Sequence, residues 1–247
     1  SHSEKAFDLY LYLAKKAQEQ NSTSIKINYR EFGQTMGYTK NYFFNVYQPL
    51  RKLTDRYGLI QRKPWSKYLN LKYTTSPAYI VIPYSYWDYG FHRKLSFPAK
   101  YIFLISIAEA QKSSRNPYWF RSNEDINLIY QISEHSITNG TIELEKENIL
   151  EVYRHRPEEP GDFDNRPANN YRLNPLQSEE EFQQALQSLS AKYGVDIAQK
   201  ARALSAQLNE PKDLQKIETY IGLINTYGYE KVREVNSEVA SKRRESG

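Results

Sequence analysis

Residues 25–73 read IKINYREFGQTMGYTKNYFFNVYQPLRKLTDRYGLIQRKPWSKYLNLKY, and the elements predicted here set the architecture of the first part of the chain. Residues 25–29 alternate apolar and polar side chains, which predicts a short strand. A two-turn helix is predicted over 30–36, and Thr39 is expected to cap a second helix that Pro49 kinks. Two strands, 59–62 and 68–73, follow with a basic turn between them. The core side of the second helix is predicted to carry Phe43, Val46, Tyr47, Leu50 and Leu53.

An amphipathic helix is predicted before this stretch, over 4–20, because its apolar side chains recur at helical spacing. Helix, strand, helix, helix and hairpin is the order of a winged helix. A similar order is predicted further on, which indicates an internal repeat. The second set comprises a strand over 79–83, a helix over 96–112, a strand over 118–120, a helix capped by Ser122 or Asn123, a helix from Ser133 to about 148, and a hairpin of 149–155 and 171–173.

The fold class is therefore predicted as mainly α with small β-hairpin wings (α+β). Two tandem winged-helix units, 4–76 and 77–176, are expected, followed by a helical C-terminal region, 177–247. In that region helices are predicted from Ser178 to Gly194 and over 196–208, 212–227 and 230–244.

Several classes of function are disfavoured by composition. The 247 residues include no Cys, which excludes disulfides, thiolate zinc sites and a cysteine nucleophile. The longest apolar stretch, 101–108, is too short to span a membrane. Ser1-His2-Ser3 resembles the remnant of an expression tag, no secretory signal is expected, and a cytoplasmic protein is predicted. The four histidines lack metal-binding spacing, so we expect no metal site, no cofactor and no catalytic activity.

The basic charge is concentrated at the start of the chain. Residues 1–76 hold 13 basic and 5 acidic residues, a net charge of +8, whereas 77–176 carry −2 and 177–247 carry −1. Such a basic segment is typical of a polyanion contact, although a solvated basic face has the same composition.

The stretches LSFPAKYIFLISIAEAQKSS (95–114) and YWFRSNEDINLIYQISEHSITNGTIELEKENILEVYRH (118–155) show the order of elements of a DNA-binding domain. Together with the first unit, over about residues 4–176, the chain resembles tandem winged helix-turn-helix proteins of the bacterial and plasmid replication initiator or transcription regulator type. The resemblance implies that one unit reads DNA while the other dimerises or docks.

Double-stranded DNA is the partner that the first unit predicts. The first residues of the second helix of a helix-turn-helix enter the major groove, where Asn and Lys reach base edges. A wing contacts phosphates or the minor groove. The candidate residues are Thr39, Lys40, Asn41, Tyr42 and Asn45 on the reading helix, Arg51 and Lys52 further along it, and Arg62, Lys63, Trp65 and Lys67 on the wing. Capping by Thr39 and core packing by Tyr42 are the structural alternatives.

The second unit is less suited to DNA. Ser136 and Asn139 are candidate base contacts, and Arg93, Lys94 and Arg121 are candidate phosphate contacts. Glu143, Glu145 and Glu147 follow on the same helix and would repel phosphate. A dimerising or docking role is the alternative for this unit.

Sequence-specific binding of double-stranded DNA, as in a replication initiator, is the predicted function. The alternatives are a transcription regulator, a winged-helix protein-interaction scaffold, and single-strand binding by the many aromatic residues. A homodimer that recruits a replication or transcription protein is expected, without a membrane partner. A nicking initiator with Tyr153 or Tyr171 as nucleophile is disfavoured because paired histidines are lacking.

Overall fold

The computed structural model describes residues 2–63, 66–72, 80–112, 118–154 and 168–245. The chain divides into two compact units, Ser1–Tyr79 (unit 1) and Ile80–Gly247 (unit 2). Both units are mainly helical, and each contains a three-stranded antiparallel sheet. The predicted α+β class is confirmed at this level.

Unit 1 follows the predicted order of elements. They are α1 (His2–Gln20), β1 (Ser24–Lys26), α2 (Tyr29–Thr35), α3 (Tyr42–Arg51), a π-helical turn (Lys52–Arg56), β2 (Ile60–Gln61) and β3 (Tyr68–Leu71). The strands pair in the order β1-β3-β2. Ile25 pairs with Leu69 and Ile60 with Leu71, and all four side chains are buried, so one face of the sheet contributes to the core.

The core of unit 1 lies between this sheet and the three helices. Leu9 and Leu13 on α1, Phe32 on α2, and Val46 and Leu50 on α3 are all at most 2% exposed. Burial of such side chains contributes about 1.5–3 kcal/mol each. This packing fixes which side of α3 faces solvent.

Two predicted boundaries in unit 1 are wrong. The strand predicted through Tyr29 ends at Lys26, because the Asn28 side chain accepts hydrogen bonds from the N–H groups of Arg30 and Glu31 and starts α2 early. Thr39 is not the cap of α3. Asn41 occupies that position with a φ of 56°, a left-handed conformation that asparagine tolerates better than most residues.

The second half of α3 departs from an ordinary helix. Pro49 is buried inside the helix, which continues to Arg51 and then changes to the π-helical turn. The N–H of Tyr57 donates to the carbonyl of Lys52, five residues back. The core-facing position predicted for Phe43 is also wrong, since this side chain is 52% exposed.

Unit 2 begins with two short helices and then repeats the order of unit 1. Its elements are α4 (Ser85–Asp88), α5 (Phe91–Lys94), α6 (Phe97–Lys112), β4 (Tyr118–Arg121), α7 (Asn123–Tyr130), α8 (Glu134–Lys146), β5 (Leu150–Tyr153) and β6 (Asn169–Leu173). The sheet order β4-β6-β5 matches that of unit 1. Trp119 and Tyr171 pair across the sheet, with their rings stacked 4.2 Å apart. The internal repeat is therefore present in the structure.

Sequence signals explain most of these boundaries. Ser122 and Asp125 form a capping box at the start of α7, and Ser133 caps α8. A Cβ added at Gly140 would lie 2.7 Å from the carbonyl oxygen of Pro98, so this glycine permits the close approach of α8 to α6. The strand predicted over 79–83 is wrong for its described part, 80–83, where Pro83 precedes the helical turn of α4 and has no N–H for a ladder.

Four further helices complete unit 2: α9 (Glu179–Tyr193), α10 (Val195–Gln207), α11 (Leu214–Tyr227) and α12 (Tyr229–Glu245), close to the predicted bounds. Phe182, Ala201, Leu204 and Ile221 are among the residues of their common core. Residues 177–247 thus lie in one compact unit with the repeat before them. No helix in the described part of the chain combines the length and hydropathy that a bilayer span requires.

Candidate nucleic-acid interface

Helix α3 has a buried side and an exposed side, which together define a candidate reading surface. Val46, Pro49 and Leu50 are buried. Phe44 and Gln48, four residues apart, lie on the opposite side and are exposed. Because the opposite side holds α3 in the core, these two side chains point away from unit 1. We call Phe44 and Gln48, with Lys40 and Asn41 before them, the reading surface.

The residues just before α3 are open to solvent. Lys40 and Asn41 are exposed, and the Asn41 side chain makes no capping hydrogen bond in the described structure. Thr39 is exposed as well. Its backbone carbonyl accepts a 3.4 Å hydrogen bond from the Tyr42 hydroxyl. Lys40 and Asn41 therefore remain candidate base contacts.

Two other predicted base contacts are used internally. The ring of Tyr42 occupies the space where Gly33 would carry a Cβ, so Tyr42 packs α3 against α2. Asn45 is half-buried, and its Oδ1 accepts a 2.8 Å hydrogen bond from Lys5 Nζ. Its Nδ2 donates to the carbonyl oxygen of Lys40 at 3.2 Å. Both residues position the reading surface.

Arg51 and Lys52 differ in their availability to a phosphate. Arg51 is exposed and forms a 3.4 Å ion pair with Asp55. The side chains of both residues are about 60% exposed. Such an exposed pair contributes little stability and is easily exchanged. Lys52 is half-buried and donates to Ser3 Oγ at 3.2 Å.

The hairpin between β2 and β3 is the predicted wing. Arg62 Nε donates to the carbonyl of Ser66 at 2.9 Å, and its Nη1 donates to the Tyr29 hydroxyl at 3.4 Å, so Arg62 closes the turn. Lys63 and Lys67 flank this turn and are exposed. Trp65, predicted at the tip, lies outside the described residues.

An ion pair between α1 and α2 involves one of the few acidic side chains of unit 1. Glu31 lies 2.8 Å from Lys16 Nζ. The hydrogen bond from Lys16, followed by one from Tyr12, lowers the pKa of Glu31 and keeps it ionised. The negative charge of Glu31 is therefore balanced by a lysine of α1.

The three glutamates of unit 2 that were predicted to repel DNA have internal partners. Glu143 accepts from the N–H of Ser96 at 2.8 Å and from its hydroxyl at 2.5 Å, at the start of α6. Glu145 is 7% exposed and binds Arg154 through two hydrogen bonds of 2.8 and 2.6 Å, which raises the pKa of Arg154. Glu147 pairs with Lys212 at 2.7 Å. Glu145 and Glu147 are thus paired with cations, whereas Glu143 binds the uncharged groups of Ser96.

The other candidates in unit 2 are mostly bound to neighbours. Ser136 takes part in the cap of α8, where its hydroxyl lies 2.9 Å from that of Ser133. Asn139 is exposed, and its Nδ2 lies 2.9 Å from His135 Nε2. Arg121 pairs with the buried Glu109 at 3.4 Å. Arg93 and Lys94 are exposed.

The candidate nucleophiles also differ in exposure. Tyr171 is 1% exposed beneath the Trp119 ring, and burial raises its pKa, so it does not reach a substrate. Tyr153 is 62% exposed. The described residues contain no group of three His, Asp or Glu side chains placed to hold a metal ion.

Two members of the reading surface, Phe44 and Gln48, were not predicted from the sequence. Their four-residue spacing, offset by two positions from the buried Val46 and Leu50, is the signal that locates them. Comparisons with protein-family models, with curated proteins and with solved structures found no match.

Proposed function

We propose that the six-element repeat of each unit is a winged helix and that unit 1 binds double-stranded DNA with α3 in the major groove. The repeated order of elements and the matching sheet orders support the first part. The reading surface supports DNA binding by α3, because Lys40, Asn41 and Gln48 are exposed there. The same unit also has exposed lysines on the hairpin. Asn and Gln bind adenine through two hydrogen bonds, and Lys binds guanine.

Charge supports duplex DNA over a neutral partner. Unit 1 carries the whole basic excess of the chain, and Lys40, Lys63 and Lys67 extend it into solvent. With about five phosphates neutralised, the plot of log K against log salt has an expected slope of roughly −4.5. Replication initiation is the proposed process and transcription regulation the alternative.

The test combines selection with a salt series. Duplex fragments that bind are selected from the source genome, and the affinity for one selected site is measured between low and physiological salt. Repeated sites near an origin support an initiator, whereas sites at promoters support a regulator. Absence of duplex binding at low salt, or an affinity that does not change with salt, would overturn the DNA-binding proposal.

Unit 2 is proposed to mediate self-association. Leu128 and Ile129 at the end of α7 are 77% and 50% exposed, and exposed apolar pairs of this kind mark interaction surfaces when they cluster. A symmetric dimer would double the contacts on repeated or palindromic sites. Sedimentation should show a dimer that Leu128→Glu dissociates, while Leu223→Glu on α11, an exposed leucine elsewhere in unit 2, leaves it intact. A monomer both free and on DNA would contradict this role.

A further inference from the structure

The reading surface has an apolar tip. Phe44 is in the first turn of α3 and is 69% exposed, and its neighbour Phe43 is 52% exposed. Two exposed phenylalanines do not contribute to the core, which Val46 and Leu50 form on the other side of the helix. Exposure of apolar rings to water is unfavourable. Contact with apolar groups of a partner would remove these rings from water.

Phe44 is supported by a row of aromatic rings. Its ring meets that of Phe43 edge to face, with 5.9 Å between centroids. Phe43 in turn stacks on Tyr47 at 5.1 Å and contacts Tyr29 at 5.3 Å. Tyr29 accepts the hydrogen bond from Arg62 that joins this row to the hairpin. The apolar tip is therefore held in place by unit 1 itself.

The surroundings of this tip are basic and polar, which identifies the chemistry of its partner. Lys40 and Arg51 are exposed on the same helix region, and unit 1 carries a net charge of +8 over residues 1–76. A partner must combine negative charge with small apolar groups. Duplex DNA does so in the major groove, where the 5-methyl group of thymine is the apolar feature among hydrogen-bonding edges.

We propose that Phe44, supported by Phe43, contacts thymine 5-methyl groups in the major groove, while Gln48 binds an adenine nearby. This inference rests on the proposed function. Four residues of helix span about 6 Å, and two base-pair steps span about 7 Å, so the two side chains match neighbouring positions along the groove. The site is then rich in A·T pairs that are read through methyl groups as well as hydrogen bonds.

The experiment removes the methyl group without changing base pairing. Each thymine of a selected duplex is replaced in turn by deoxyuridine, and the affinity is measured at fixed salt. Burial of one methyl group predicts a loss of about threefold to tenfold at one or two positions. Phe44→Ala should lower the affinity for the thymine duplex and abolish the difference between thymine and uracil. Phe44→Leu should retain part of that difference, because it keeps an apolar side chain.

The matched control is Phe120→Ala, which removes a 50% exposed phenylalanine of β4 in unit 2 and should preserve the full effect of thymine. Equal affinity for thymine and uracil duplexes, with the steep salt dependence retained, would overturn the methyl contact and leave the proposed function standing. Absence of all duplex binding would overturn both. Tighter binding to single strands, lost in Phe44→Ala, would assign the rings to base stacking and overturn the proposal.

Discussion

Helices α3 and α8 occupy the same place in the two repeats but present different surfaces. Aligning the buried Val46 with the buried Ile137 makes Phe44 and Gln48 equivalent to His135 and Asn139. In α8 those two side chains bind each other at 2.9 Å. In α3 the Gln48 side chain is exposed and the position four residues before it holds the apolar Phe44, so the two helices present different groups at the same positions.

Helices α3 and α8 also differ in the charged groups around them. Repulsion of phosphate by Glu143, Glu145 and Glu147 stays a prediction. Glu145 and Glu147 pair with the cations Arg154 and Lys212, whereas the groups of Ser96 that Glu143 binds carry no charge. Unit 1 adds the exposed Lys40 just before α3 and the exposed rings of Phe43 and Phe44 on it.

The largest effect is expected from breaking the Glu145–Arg154 pair. Arg154→Met leaves the carboxylate of Glu145, a residue that is 7% exposed, without its cation. Because the Arg154 side chain is 47% exposed and water replaces it in part, the expected loss is about 2 kcal/mol. Thermal unfolding of the full chain should show a large loss in the transition of unit 2. The control is Arg172→Met, which breaks the ion pair with Glu151. Because the side chains of Arg172 and Glu151 are each 38% exposed, the expected loss is below about 1 kcal/mol. Equal losses would show that the Glu145–Arg154 pair stabilises unit 2 no more than an exposed ion pair does.

Removing the exposed charges of the hairpin should have the next largest effect. The double variant Lys63→Ala/Lys67→Ala is expected to weaken binding to all duplexes by about tenfold or more and to flatten the salt slope by about 1.8. Arg62 is kept, because it closes the turn. The control Lys192→Ala/Lys231→Ala removes two exposed charges from α9 and α12 of unit 2. Fluorescence titrations in a salt series compare the two, and a greater loss in the control would move the DNA contact to unit 2.

Sequence preference should respond to α3 and not to α8. Gln48→Ala is expected to lose roughly 1–3 kcal/mol of discrimination at one A·T pair. Asn139→Ala and Ser136→Ala should change it little. Asn41→Gly tests the residue just before α3. Glycine is chosen because Asn41 has a left-handed backbone, which alanine would strain. Competition between the selected duplex and single-base variants measures these effects. A larger change in the α8 variants would show that unit 2 is the reader.

The order of elements was predictable because local signals specify it. Ser122 and Ser133 cap helices, and the alternation around Ile60 and Leu69 marks strands that the sheet pairs. The partners of Glu145 and Asn45 were not predictable, since Arg154 and Lys5 reach them through tertiary packing. Phe43 and Phe44 are adjacent apolar residues, and only the burial of Val46 shows that both lie outside the core.

The smallest effect concerns the ion pair that joins α1 to α2 in unit 1. Glu31 has a lowered pKa, chiefly because Lys16 donates a hydrogen bond to it, so its contribution is present above its unfolded pKa of 4.5 and is lost as the pH falls through the folded value. Lys16 has a raised pKa, mainly through the same bond, so its contribution is present below its unfolded value of 10.5 and is lost as the pH rises through the folded value.

Glu31→Gln should therefore lower the melting temperature of unit 1 on the plateau between these limits, and the difference from the unchanged protein should shrink in acid. Since Lys16 and Glu31 are 27% and 45% exposed, the loss is expected to stay below about 1 kcal/mol and to decrease at high salt. Melting curves at pH 7 and pH 3, each at low and high salt, measure it. A difference that persists unchanged at pH 3 would show that Glu31 acts through packing instead of charge. Binding to duplex DNA at pH 7 should stay nearly unchanged in this variant, because the reading surface on α3 is held by Tyr42 and Asn45 and not by Glu31.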